Sequence, residues 1–253
     1  MCSISWSGGL QPGEAEIPMR ANGIVWAILS WVSEAPMGEE QPKTGIELME
    51  AALNSLRARA VSAMIDYRIW LDRRSGEEGF QAAASRTMGA LAGFLDAERE
   101  PSLVVRAVFG RRLPDLYAAG PDWVREHLPA MFPTAPNSQH LYDVAWSVYV
   151  IAWKPGLPLF QLLQEQYRKA VGEIDEATEA CDREVRADPT SVVVRQITNL
   201  YVCGLEDEAG LSGSFDRLLE RGSDSVRGVA IKTDWPNPLR RGSRSSSGAT
   251  WEA

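Results

Sequence analysis

The spacing of apolar residues constrains the fold of this chain most strongly, because it recurs every three or four positions between stretches rich in Pro and Gly. The clearest run has its apolar positions at Leu53, Leu56, Ala60, Met64, Tyr67 and Leu71. Such steps place side chains on one face of an α-helix. No segment of useful length alternates like a strand, and Val192–Val194 has neighbours that favour a helix. The sequence therefore predicts an all-α fold.

The Pro and Gly segments divide the chain into separate helices. Residues 36–45 and 132–138 read as connectors. Ser102 is a predicted N-cap, and Pro114 is predicted to kink or shorten its helix. An acidic helical stretch is predicted to continue to about residue 186. The main predicted helices cover about residues 20–34, 53–73, 78–96, 102–117, 121–131, 141–151, 158–174, 191–205, 211–221 and 223–232.

Three predicted helices begin with a similar pattern, which indicates a repeat. The patterns are Ser55-Leu56-Arg57-Ala58, Val105-Arg106-Ala107 after Ser102, and Ser225-Val226-Arg227-Gly228. Arg57 and Arg106 are 49 residues apart, slightly more than the roughly 40–47 residues of HEAT and armadillo units. Helix pairs bury their apolar faces by stacking. In such a stack, an early arginine is expected to bond loop carbonyls or an acidic residue of the adjacent unit.

Residues 53–71 and 96–116 resemble HEAT-like repeats on this basis, and residues 44–117 are the clearest part. More broadly, residues 20–232 resemble the helical C-terminal region of large bacterial NTPase- or SIR2-type proteins associated with phage defence. The sequence contexts behind this likeness are Asn54-Ser55-Leu56-Arg57, Trp123…Phe132-Pro133 and Gln166-Tyr167. The resemblance implies an α-α superhelix that senses, binds a partner or silences an effector. It brings no catalytic residue to this chain.

Composition limits the cellular environments and the classes of partner that we expect for this chain. The net charge of −8 and pI near 5.0 argue against a general nucleic-acid or anionic-membrane surface. Cys2, Cys181 and Cys203 are far apart, which suits a reducing, cytoplasmic setting. The apolar run Ile24–Val32 is too short to span a membrane. It imitates a signal-peptide core, but no small-residue cleavage site follows, and a buried helix is the preferred interpretation.

The sequence offers little for catalysis or cofactor binding. It contains neither a phosphate loop of the GxxxxGK[ST] type nor a GxSxG motif. His127 and His140 have no cysteine nearby and are interpreted as surface or loop histidines, although a zinc site formed with Cys181 and Cys203 is an alternative. Cys203 is expected to be a packing residue. No enzyme activity, metal or cofactor is predicted.

Two alternatives stay open. A nucleic-acid-contacting solenoid would use Arg57, Arg59, Arg111 and Arg112, and a small α-helical enzyme would use the carboxylates of residues 173–184. The preferred interpretation is a non-catalytic scaffold that binds a protein partner or another domain of its parent chain. Residues 1–19 are expected to be flexible, residues 20–232 to form the repeat domain, and residues 233–253 to be disordered. The candidate contact residues are Arg57, Arg59, Arg106, Arg111, Arg112 and Trp123.

Overall fold

The computed structural model describes residues 45–73, 80–175, 178 and 188–232. All regular structure in these ranges is helical, which confirms the predicted all-α class there. The chain divides after Trp153 into two compact units. The predicted helix of residues 20–34, the flexible segment 1–19 and the tail 233–253 lie outside the described residues.

The N-terminal unit contains six of the described α-helices and one short 3-10 turn, at Pro136–Ser138. The helix Gly45–Asn54 was not predicted apart from its last two residues, whereas the other bounds agree with the predicted pattern within a few residues. The helices are α1 (Gly45–Asn54), α2 (Leu56–Asp72), α3 (Phe80–Gly93), α4 (Leu103–Ala119), α5 (Pro121–Met131) and α6 (Gln139–Ala152).

Helix α4 lies at the centre of this unit and packs on α1, α2, α5 and α6. Its contact with α6 is very close at Gly110, where a Cβ atom would overlap the carbonyl oxygen of Ala145. Only glycine permits this approach. Pro114 does not shorten α4, as the sequence had suggested, because the helix continues to Ala119 with Leu113 and Leu116 fully buried. Packing on both sides therefore outweighs the helix-breaking tendency of proline.

Ser55 separates α1 from α2 and interrupts the predicted helix of residues 53–73 near its start. Its backbone is extended, with φ −74° and ψ 127°, and its hydroxyl accepts the Ala58 N–H at 3.4 Å. Leu53 and Leu56 lie on either side of this break and are 48% and 56% exposed. Their predicted place on the buried face is wrong, because the helical register is interrupted between them. The other four predicted positions of that face are buried.

The C-terminal unit contains the other described helices. They are α7 (Leu157–Leu162), α8 (Gln164–Glu173), α9 (Pro189–Val202), α10 (Ser214–Arg221) and α11 (Asp224–Lys232). Helix α9 packs on α8, α10 and α11. The buried Tyr167 hydroxyl of α8 donates to Gln196 Oε1 of α9 at 2.6 Å, so this core is joined by a neutral hydrogen bond.

Three boundaries in the C-terminal unit differ from the predictions. The helix expected over 158–174 is interrupted at Leu163, which has a non-helical backbone. The helix expected from Leu211 starts only at Ser214, because Gly213 has a left-handed backbone with φ 72°. Helix α9 begins earlier than predicted, because Asp188 is its N-cap and accepts the N–H groups of Thr190 and Ser191.

Among the described residues, no helix has both the length and the apolar character needed to cross a membrane.

Candidate functional site

A cleft of about 480 Å³ lies in the N-terminal unit between α2, α3 and α5. Its size is typical of ligand-binding pockets, and it combines apolar walls with a few polar groups, as such sites do. The lining residues are Arg68, Leu71, Asp72, Phe80, Gln81, Ala84, Ser85, Met88, Gly89, Ala92, Trp123 and His127.

Helix α3 forms one wall of the cleft because its lining residues share a face. After Phe80, they lie at positions 81, 84, 85, 88, 89 and 92, which is the three-to-four spacing of one helical stripe. Several of these side chains are small, so the stripe leaves space instead of filling it. A Cβ atom at Gly89 would meet nothing within 4 Å, which shows how open this wall is.

Helix α5 contributes an aromatic pair to the opposite wall. Trp123 and His127 are four residues apart, so they lie on the same face, and their rings stack with centroids 4.4 Å apart. The His127 Nδ1 lies 2.9 Å from the Trp123 carbonyl oxygen. Because a carbonyl only accepts, Nδ1 carries the proton, and this bond fixes the ring. His127 is thus a half-buried helical residue, which corrects the surface or loop interpretation.

The last turns of α2 supply the charged end of the cleft. Arg68 Nη2 donates at 2.7 Å to the carbonyl oxygen of Ala119, the final residue of α4, where helical carbonyls lack partners within the helix. Arg68 Nη1 is 3.4 Å from Asp72 Oδ1, and the side chains are 13% and 49% exposed. The Arg68 Nε is buried and bonds no acceptor. Solvent at this end therefore meets mainly the Asp72 carboxylate.

Arg57 and Arg106 both bind groups of the fold itself. Arg57 Nε donates to Glu100 Oε2 at 2.7 Å. Arg106 is 1% exposed and donates to the carbonyl oxygens of Ala130 at 2.6 Å and Leu95 at 3.1 Å. Burial lowers the pKa of Arg106 to about 10, an effect that the nearby Glu100 partly opposes. Arg106 is therefore inaccessible to a partner.

The remaining candidate arginines differ in their partners and in their exposure. Arg112 donates to Asp66 at 2.5 Å and to Asp115 at 2.6 Å, and these carboxylates raise its pKa against the opposing effect of burial. Arg59 is exposed on α2, whereas Arg111 is half-buried on α4. Of the six candidate contact residues, Trp123 alone lines the cleft.

The other proposed chemical groups are only partly within the described ranges. Glu173 and Asp175 are exposed, and the acidic residues at positions 176, 179, 182 and 184 lie outside the described residues, as does Cys181. Cys203 is exposed at the end of α9, so its prediction as a packing residue is wrong. In the part of the chain that the structure describes, no group of three His, Cys, Asp or Glu side chains is placed to hold a metal ion.

Most of the cleft was not predicted, although the sequence carries one signal for it. The segment Phe80–Gly93 reads FQAAASRTMGALAG, and such a concentration of small residues in a helix next to larger apolar ones indicates unfilled space. Arg68 and Asp72 gave no signal, because charged residues near the end of a helix are common on solvated surfaces.

No family model matches this chain, and neither a curated protein nor a solved structure matches it.

Proposed function

We propose that this chain is a non-catalytic helical-repeat scaffold, built as a HEAT-like stack of helix pairs, whose cleft binds a segment of another protein or of another domain of its parent. The observation that carries the proposal is the cleft itself, with the Trp123–His127 stack on one wall and a small-residue helix face on the other. Tryptophan is enriched among the residues that dominate protein–protein binding energy.

The order of packing in the N-terminal unit supports a repeat arrangement. Helix α2 packs on α4 and α4 packs on α6, whereas α3 packs on α2 and α5 packs on α4. Both α2 and α4 are thus followed in sequence by a helix that packs on them. Stacked helix pairs of this kind present extended surfaces to partners.

Polar bonds between successive helix starts support a rigid scaffold. Glu100 binds Arg57 of α2 and, through its other oxygen, accepts the Ser102 N–H at 3.3 Å ahead of α4. Arg106 donates to the carbonyl oxygen of Leu95, which precedes α4 in sequence, and to that of Ala130, which follows it. A preorganised surface loses less conformational entropy on binding than a flexible one. Such a scaffold is suited to recognition. The proposed setting in bacterial defence rests on the resemblance alone, and the proposed cytoplasmic location rests on the composition.

Site-specific photo-crosslinking in the source cell tests the proposal. A photoreactive amino acid replaces Gln81, which lines the cleft, or Ala82, which is exposed on another face of the same helix. We expect one defined adduct from position 81, its loss on Trp123→Ala substitution, and little adduct from position 82. The captured protein, once purified, should bind the wild-type chain and not the Trp123→Ala variant.

Equal crosslinking from positions 81 and 82, or an adduct that survives Trp123→Ala, would contradict binding in the cleft. Circular dichroism of the Trp123→Ala variant controls for loss of structure. If the adduct is intramolecular, within the full parent chain, the scaffold binds a neighbouring domain, which remains consistent with the proposal.

A further inference from the structure

We infer that the segment bound in the cleft carries a basic side chain, an arginine or lysine, that seats against the aromatic wall and pairs with Asp72. This inference rests on the proposed function and specifies the chemistry of the partner. It follows from the distribution of exposed charge, from the aromatic residues beside that charge and from the net charge of the chain.

The cleft contains one cation and one anion from α2, but a ligand does not meet them equally. The Arg68 side chain is only 13% exposed, its Nη2 is held by the Ala119 carbonyl oxygen, and its Nε is out of contact with solvent. An anionic ligand would have to displace protein atoms to reach that Nε. The Asp72 side chain is 49% exposed, so its carboxylate can accept a hydrogen bond from a ligand without rearrangement.

The apolar lining favours a cation with a long aliphatic stem. Phe80 is buried and lines the cleft, as do Trp123 and His127. Arginine and lysine place apolar methylene groups along such surfaces and keep the charged head at the polar end. The π-face of tryptophan attracts a nearby cation, by about 0.5–1 kcal/mol at exposed sites. One cleft therefore offers complementary surfaces to both parts of a basic side chain.

The overall charge acts in the same direction. The chain has a formal charge of −8, so its long-range field attracts basic segments and repels acidic ones. This long-range attraction affects the rate of encounter more than the geometry of the bound state, and salt at moderate concentration screens it beyond about 10 Å. The local carboxylate at Asp72 is what makes the cleft, and not the surface at large, the preferred place for the cation.

The test uses the full chain labelled with 5-fluorotryptophan, with the Trp123 resonance assigned through a Trp123→Phe variant. Three peptides are compared: acetyl-Gly-Leu-Arg-Leu-Gly-amide and its counterparts with Gln or Glu in place of Arg. We expect the Arg peptide to shift the Trp123 fluorine resonance at about tenfold lower concentration than the Gln peptide. The Glu peptide should bind weakest of the three.

Asp72→Asn should weaken binding of the Arg peptide about fivefold and leave that of the Gln peptide unchanged. The matched control is Asp66→Asn, which removes the same charge from the same helix, also from a carboxylate paired with an arginine, but outside the cleft. We expect no change in peptide binding there. Equal effects of the two substitutions would show that only net charge matters and would overturn the inference.

The remaining outcomes also decide the inference. Tighter binding of the Glu peptide would assign the cleft to an acidic partner, and a Trp123 resonance that shifts with protein concentration alone would assign it to a second copy of this chain. Either result overturns a basic partner. If the crosslinked protein requires Trp123 and its binding is unaffected by Asp72→Asn, the proposed function stands and this inference fails.

Discussion

Each unit of the chain uses a glutamate to hold the start of a helix, but the two glutamates have opposite electrostatic surroundings. In the N-terminal unit, Glu100 is 3% exposed, accepts the backbone N–H ahead of α4 and lies 2.7 Å from Arg57. In the C-terminal unit, Glu206 accepts the Phe215 N–H at 3.0 Å in the first turn of α10. The charges of Asp216 and Asp207 act on Glu206.

The difference shows how burial and charge pairing are linked. A carboxylate removed from water is strongly disfavoured unless a cation and hydrogen bonds compensate for the lost hydration. Arg57 provides that compensation at Glu100, which is therefore buried. Partial burial raises the pKa of Glu206, and the two aspartates raise it further against the opposing hydrogen bond from Phe215. Among the described residues, the N-terminal unit buries Glu100 and Arg106 in its core, whereas Glu206 of the C-terminal unit stays partly exposed to solvent.

The largest expected effect is a loss of stability, and it distinguishes an arginine of the N-terminal unit from the corresponding arginine of the C-terminal unit. Arg106 and Arg227 each follow a capping serine by four residues and bond a carbonyl of a preceding segment. Arg106 is 1% exposed and Arg227 is 38% exposed. Arg106→Leu should destabilise the N-terminal unit by about 3–5 kcal/mol, because buried carbonyls lose their donors. Arg227→Leu should cost under about 1 kcal/mol.

Urea unfolding combined with hydrogen exchange of each unit measures both variants. Exchange assigns the loss of protection to the helices of one unit, which a global probe would not do. Comparable losses from the two substitutions would show that exposure does not set the contribution of these arginines.

The second prediction concerns the approach of α4 to α6. Replacement of a helical glycine by alanine usually stabilises a helix by about 1 kcal/mol. At Gly110 we expect the opposite sign, a loss of about 1–3 kcal/mol, because the new methyl group would overlap the Ala145 carbonyl oxygen. Gly89→Ala is the matched control, with open space at the Cβ position, and should be neutral or stabilising. Thermal unfolding gives both values, and a stable Gly110→Ala variant would contradict the close packing.

The helices were predictable because local patterns determine them. Apolar periodicity located the described helices other than α1, and Ser102 was recognised as a cap because its hydroxyl can satisfy a free N–H in the first turn. The break at Ser55 was missed, because the apolar steps continue across it from Leu53 to Leu56. A cap and an uninterrupted helix are distinguished there only by tertiary packing.

The site was less predictable because it depends on contacts distant in sequence. Trp123 was selected as a candidate from its place beside a loop, but apart from His127 the residues that line the cleft with it come from residues 68–92, and no local pattern joins them. Arg106 illustrates the same limit. The repeat pattern suggested that it bonds carbonyls, yet its burial depends on the helices that pack around α4, which the sequence does not specify directly.

The third prediction removes the charge of Glu100 and keeps its shape. Glu100→Gln should destabilise the N-terminal unit by about 1–2 kcal/mol, because the hydrogen bond to the Arg57 guanidinium loses its ionic partner. Glu98→Gln, at an exposed position of the same turn, should have no measurable effect. Urea unfolding measures both. If Arg57→Met in the Glu100→Gln background costs as much as in the wild type, the two side chains are not coupled.

The smallest expected effect has the opposite sign. Glu206→Gln keeps the acceptor for the Phe215 N–H and removes a charge that lies near two other carboxylates. The folded state raises the pKa of Glu206 above its ordinary value of 4.5, so the folded chain binds this proton more tightly than the unfolded chain. The stability contributed by the protonated side chain is therefore present below pH 4.5 and is lost as the pH rises through the raised pKa.

At pH 7 the variant should be more stable than the wild type by up to about 0.5 kcal/mol, a small value because solvent screens this half-buried group. Hydrogen exchange of the C-terminal unit between pH 4 and 7 measures the difference, which should shrink as the pH falls. A difference that grows towards low pH would mean that the folded state favours the ionised carboxylate, and Glu206 would then resemble Glu100 and not contrast with it.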